Sequence, residues 1–158
     1  DHSIQKEWFV RQLRMAKELK LPVIIHSREA AADTFEILKQ EKTSECSMVM
    51  HCYSYSSEMA KEYLKMGFYL GIGGVLTFKN GKKLKETVAE APMEQLLLET
   101  DCPYLAPVPY RGKRNDSRKL VLVAEELGRI KGISADEVIR ITEENARRFF
   151  RLEQEERL

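Results

Sequence analysis

Apolar and polar positions follow two rhythms along this chain. Phe9, Leu13, Ala16 and Leu19 recur three or four residues apart, which places them on one face of a helix that Ser3 can cap and that runs to about Lys20. Pro22 breaks that rhythm. The run Pro22-Val23-Ile24-Ile25-His26 is short and β-branched, as expected of a strand buried on both faces. A helix follows over roughly residues 30–40, with Phe35 and Leu38 inward. Met48-Val49-Met50-His51 reads as a second strand. Ser56 or Ser57 caps the next helix, which buries Met59, Ala60, Tyr63 and Leu64 and stops at Gly67. Phe68 to Gly73 is a third strand, and Leu84 and Val88 mark a helix near residues 82–90. Leu96 to Asp101 is a fourth strand, followed by a proline-rich loop from Pro103 to Pro109. One further helix carries Leu120, Val123, Ala124, Leu127 and Ile130. The last opens at Ser134-Ala135-Asp136-Glu137, an S-x-x-E capping box.

Strands alternating with helices imply an α/β fold with a parallel sheet and right-handed crossovers. Four such units fit a small open doubly wound sheet or half of a (β/α)8 barrel, and periodicity does not separate the two. The chain shows no repeat, low-complexity tract or linker, and its 158 residues suit a single domain. At 43% hydrophobic and 32% charged residues it is neither disordered nor fibrous. A formal net charge of +1 supplies no global field toward nucleic acid or a membrane, so any such preference must be local. No apolar run approaches the ~20 residues needed to span a bilayer, and the N-terminus has no signal-peptide pattern. The lack of an initial Met fits a piece of a longer chain. The three cysteines, Cys46, Cys52 and Cys102, are odd in number and form no CxxC. They argue for reduced thiols in the cytoplasm and against a disulfide framework or a structural zinc site built on thiolates.

The chemistry gathers at strand ends. His26 ends Val-Ile-Ile, His51 ends Met-Val-Met, and Asp101 ends Leu-Leu-Leu-Glu-Thr. In both candidate folds ligands bind beyond the carboxyl ends of the strands. Two imidazoles and a carboxylate converging there suit a divalent cation that lowers the pKa of a bound water. Glu99, two residues before Asp101, shares its strand face and is expected to be a further site carboxylate or to orient a histidine. A cap on the loop backbone is the structural alternative. Gly71-Ile72-Gly73-Gly74 is a poor dinucleotide loop, because Leu76 stands where the third glycine belongs. It reads better as a close backbone approach. Arg28 follows His26, and Arg111, Lys113 and Arg114 follow Asp101, so each could line the same rim and hold phosphate. Lys79, Lys82, Lys83 and Lys85 form another basic cluster after the third strand, and Tyr104 and Tyr110 are candidates to stack on a base.

Several segments together resemble the TatD-family metal-dependent DNases. They are Leu21-Pro22-Val23-Ile24-Ile25-His26-Ser27-Arg28, Met50-His51-Cys52, the stretch from Gly67 to Gly74, Glu99-Thr100-Asp101-Cys102-Pro103-Tyr104-Leu105-Ala106-Pro107, and Tyr110-Arg111-Gly112-Lys113-Arg114-Asn115. The likeness runs to about Asn145-Ala146, and the E-T-D-x-P-x-L-x-P stretch is its most specific part. The resemblance implies a (β/α)8 barrel that hydrolyses DNA phosphodiesters with two divalent ions (Mg2+, Mn2+ or Zn2+). It implies His26, His51 and Asp101 as metal ligands, with Glu99 beside them. The family's H-x-H strand and a strand-end Glu are not in this sequence, so the chain reads as the C-terminal half of the barrel, short of a ~250-residue fold by roughly 100 residues. Tyr55 stands where a Gly is expected and Ser117 where a Pro is expected. A half-barrel leaves two strand edges unpaired, so the chain alone is expected to be weakly active or inactive. It is also expected to self-associate or to pair with an N-terminal half. Beside the DNase reading stand a metal-dependent amide or ester hydrolase and a non-catalytic α/β binding module.

Overall fold

The computed structural model describes residues 1–41 and 46–152, and among these it has six α-helices and four strands. In chain order they are α1 His2–Glu18, β1 Val23–Ile25, α2 Ala31–Gln40, β2 Met48–Met50, α3 Ser57–Lys65, β3 Tyr69–Ile72, α4 Lys82–Glu90, β4 Leu96–Leu98, α5 Leu120–Lys131 and α6 Ala135–Phe150. The caps follow the local chemistry, with two adjustments. Asp1, not Ser3, caps α1, and its carboxylate accepts from the Ser3 backbone N–H at 2.9 Å. Ser134 caps α6 through the Glu137 N–H, but the Glu137 side chain turns to Arg140 at 2.7 Å instead of closing the capping box.

All four strands are parallel, in the order β1-β2-β3-β4. A doubly wound sheet reverses its order at a switch point and so carries helices on both faces. Here the order never reverses, and right-handed crossovers leave the connecting helices on one face. That is the arrangement of a barrel wall, and it settles the choice left open by the sequence.

Strand alternation sorts the side chains into two layers. Ile25, Met48, Met50, Leu70, Ile72 and Leu96 point toward the helices and form the main core with Leu13, Leu38, Tyr63, Val88, Leu127 and Val138. On the other face Val49 and Leu97 pack with Tyr69 under Phe149, which is fully buried. Ile24 lies in register with Val49 but is 57% exposed, because β1 is an edge strand. Asn145 of α6 is fully buried and donates to the carbonyls of Met93 and Leu96 at 2.7 and 2.8 Å. It thereby pins α6 to the entry end of β4. The exit ends of the strands stay open for the site.

The β4 ladder is shorter than the predicted strand. The Glu99 N–H still donates to the Ile72 carbonyl at 3.0 Å, but β3 then turns away at Gly73 into a 3-10 turn, and Thr100 and Asp101 lie in the loop beyond. The glycine cluster is a close approach, as expected. A Cβ on Gly74 would strike the Leu105 carbonyl oxygen of the loop after β4.

Candidate metal centre

His26 and His51 each stand one residue past their strands, and adjacent parallel strands bring them side by side. Their ring centroids are 6.0 Å apart and the rings are tilted by 40°. His51 is held from both sides. Its Nδ1 lies 2.9 Å from Glu99 Oε2, and its Nε2 lies 3.4 Å from Asp101 Oδ1. Glu99 reaches His51 by crossing β3 at Gly71, where its carboxylate fills the space that a Cβ would take. The other Glu99 oxygen accepts from the Cys52 backbone N–H. Cys52 has φ 45°, a left-handed conformation unusual for a non-glycine residue. Glu99 therefore does two of the three things considered for it: it orients an imidazole and it caps a loop.

This arrangement selects a tautomer. If Nδ1–H donates to Glu99, Nε2 carries the lone pair and faces the Asp101 carboxylate. Two lone-pair groups then look at each other across 3.4 Å, too long for a good hydrogen bond and repulsive without a positive charge between them. Burial pushes the His51 imidazolium down, but the hydrogen bonds and charges of Glu99 and Asp101 outweigh it and raise the imidazole above its ordinary range. A proton is one way to supply that positive charge, and a divalent cation is another. Two ligands of one such cation at ~2.1 Å lie about 3–3.5 Å apart, so His51 Nε2 and Asp101 fit the edge of a coordination sphere as they stand. Asp101 is half-exposed and His26 exposed, so the position opens to solvent.

The basic residues do not all meet there. Arg28 lies with His26, His2, Lys6 and Asp33 along a groove of about 290 Å³. Arg111, Lys113 and Arg114 line a different groove of about 450 Å³ with Phe78, Pro103 and Tyr104. The two grooves share no residue. The second is tied to the Asp101 loop through buried Asn115, whose N–H donates to the Pro103 carbonyl at 2.9 Å and whose side chain donates to the Tyr104 carbonyl at 2.8 Å. Arg111 stacks on Phe78, its guanidinium carbon 4.5 Å from the ring centroid. Tyr104 is 69% exposed at the groove, whereas Tyr110 faces Lys119. In the lysine cluster Lys85 pairs with Glu126 at 2.7 Å and Lys82 lies 3.8 Å from Glu86, so these two serve α4 and α5.

Two contributors were not legible in the sequence. The Ser27 hydroxyl lies 2.9 Å from that of Thr34 and 2.8 Å from that of Tyr55, which joins the loop after His26 to the loop after His51. Tyr55 is the residue standing in place of an expected glycine, and that departure was the available signal. The other is Cys52, whose thiol burial pushes strongly upward in pKa, with the charges of Glu99 and Asp101 acting in the same direction.

Comparison with known proteins places the chain among metal-dependent hydrolases. The chain is 50% identical over 150 residues to the uncharacterized metal-dependent hydrolase YabD of Bacillus subtilis, covering 95% of this chain and 59% of that protein. It is 40% identical over 149 residues to the uncharacterized metal-dependent hydrolase YcfH of Escherichia coli K12, covering 94% and 56%. Among solved structures, that of YjjV, a TatD homologue from Escherichia coli K12, superposes with a TM-score of 0.83 at 30% identity over 90% of this chain and 54% of the other. The chain thus spans a little over half the length of these relatives. The TatD related DNase family profile matches residues 1–151, and a four-stranded parallel wall with the site at its exit rim is the corresponding part of the family's barrel: this chain belongs to the TatD related DNase family.

Proposed function

We propose that this chain carries part of the active site of a metal-dependent hydrolase acting on DNA phosphodiester bonds, with His26, His51 and Asp101 as ligands of a divalent cation. The observation that supports it most is the His51 ring, fixed by Glu99 so that its free nitrogen faces Asp101 at 3.4 Å. When bound, a divalent ion at this rim lowers the pKa of a water and polarises a phosphoryl oxygen. Imidazole suits Zn2+, and carboxylate with phosphate suits Mg2+ or Mn2+. The family resemblance implies two ions per intact site, and His26, His51 and Asp101 would supply the donors for one.

The residues divide the remaining work. Glu99 keeps the proton on His51 Nδ1 and so keeps Nε2 available. Asp101, 3.4 Å from His51 Nε2, would add a carboxylate ligand and negative charge at the cation position. Arg111, Lys113 and Arg114 hold phosphates along the groove beside the Asp101 loop, and Arg28 does so in the groove beside His26. The basic groove favours a phosphodiester over the neutral amide or ester that the same ligand set could hydrolyse.

Calorimetric titration of Mn2+ into the 158-residue chain and into His51→Ala tests the ligand set. The parent is expected to take up the ion and the variant to lose that uptake; equal uptake by both would refute the reading. Mn2+-dependent hydrolysis of a DNA strand against a neutral aryl ester tests the substrate class, with DNA expected to be preferred. Turnover by this chain alone is expected to be slow, and vigorous metal-dependent nuclease activity from its monomer would overturn that expectation.

A further inference from the structure

Directly behind the rim, a ring nitrogen of His51, the Cys52 sulfur and a carboxylate oxygen of Glu99 all lie within 4.8 Å of one another. This is a nitrogen–sulfur–oxygen donor set, unlike the nitrogen–oxygen set at the rim. Zinc binds such donors at about 2.0–2.3 Å, which separates the ligands of a tetrahedral ion by about 3.3–3.8 Å. The three groups need to close by roughly 1 Å, within reach of small side-chain rotations. All three are partly buried and come from the loops after β2 and β4, the Glu99 carboxylate having crossed the intervening β3 to reach the others. The nitrogen of His51 that faces Glu99 is Nδ1.

We infer that His51 Nδ1, Cys52 Sγ and Glu99 form an inner site for a thiophilic cation such as Zn2+ or Cd2+, and that filling it silences the rim site. The thiol releases its proton to solvent as the sulfur–metal bond forms, with no change of oxidation state. Thiolate selects soft cations over Mg2+ or Mn2+, so the inner and rim positions differ in the ion they prefer. Exclusion follows from the imidazole. A neutral ring has one free nitrogen lone pair. A cation on Nδ1 forces the proton onto Nε2, and Nε2–H then donates to Asp101 instead of ligating. Glu99 leaves its hydrogen bond to His51 in the same event. The exclusion rests on the rim reading above; the inner site does not.

Cadmium separates the two claims, because a thiolate–cadmium bond has its own ultraviolet charge-transfer band. Cd2+ is titrated into the reduced 158-residue chain and into Cys52→Ser, Cys46→Ser and Cys102→Ser, with circular dichroism confirming that each is folded. The parent is expected to form the band to saturation at one ion per chain. Cys52→Ser should lose it, while the other two variants keep it. No band in the parent, or an undiminished band in Cys52→Ser, would overturn the inner site. Mn2+ affinity is then measured with and without one equivalent of Cd2+. A loss of at least tenfold in the parent, absent in Cys52→Ser, supports the exclusion, and unchanged Mn2+ affinity in the cadmium-loaded parent overturns it. A chain that forms the band but never takes up Mn2+ upholds the inner site and overturns both the rim reading and the exclusion.

Discussion

At the scale of single residues, Glu99 has more consequence than its position suggests. It touches His51 and the Cys52 backbone from just past the end of β4, and its negative charge favours the proton on His51 Nδ1. Glu99→Gln keeps the size and one acceptor but removes the charge and lets an amide N–H compete for Nδ1. Removing such an orienting partner typically costs 10–100-fold in metal affinity. Mn2+ calorimetry should find a loss in that range, with a thermal midpoint close to that of the parent. Undiminished affinity would mean that Glu99 serves only the loop. The identity of the strand-end residues was readable from the sequence, because a polar residue that closes an apolar strand stands out. Which nitrogen of His51 meets which carboxylate was not, because it depends on the path of a side chain across a neighbouring strand.

Two contacts between elements carry predictions. Gly74 begins the 3-10 turn after β3 and lies against the Leu105 carbonyl of the loop that follows Asp101. Gly74→Ala must push that loop away, and overpacking of this kind costs about 1–3 kcal/mol. Urea denaturation should show that loss, and an unchanged midpoint would indicate that the loop yields freely. Elsewhere, Glu126 of α5 accepts from Arg129 of the same helix and from Lys85 of α4, both at 2.7–2.9 Å. The Arg129 hydrogen bond, assisted by Lys85, outweighs burial and lowers the Glu126 carboxyl to about 2. A carboxyl depressed on folding stabilises the protein above its unfolded pKa of about 4.5, and that contribution fades as pH falls toward 2. Glu126→Gln is therefore expected to cost about 1–2 kcal/mol at neutral pH, the partners' exposure discounting the full shift. The deficit should shrink through the acid range, as read by thermal melts at stepped pH. A deficit independent of pH would assign it to packing.

The whole molecule is a four-stranded wall with two free strand edges among the described residues. Ile4, Trp8, Met15, Leu19 and Leu21 on and after α1 and Ile24 on β1 are each about half-exposed. Several of them border one groove of about 400 Å³ beside the β1 edge. Such an edge invites further strands, whether from a second copy or from a complementary barrel segment. Light scattering on the isolated chain is expected to give a mass above the 18.3 kDa monomer, and Ile24→Lys should lower it toward the monomer. A monodisperse monomer across the micromolar range would remove this expectation. No helix among the described residues is long and apolar enough to cross a membrane.

Much of this organisation is written in local sequence. The helices over 31–40, 57–65, 82–90 and 120–131 follow from apolar spacing, and the strands from short β-branched or aliphatic runs bounded by Pro and Gly. Local patterns are legible because side-chain direction repeats with the backbone period, so burial on one face imposes a rhythm on composition. Strand order is different. It depends on crossovers that bring distant segments together, and only the assembled sheet distinguished a barrel wall from a doubly wound fold. The same holds for the site. His26, His51 and Asp101 are separated by tens of residues, and their common rim arises from parallel register. The split of the basic residues into two grooves, the Ser27–Tyr55 link and the closeness of Cys52 to Glu99 were decided by tertiary structure alone, because they join loops whose separation no sequence period encodes.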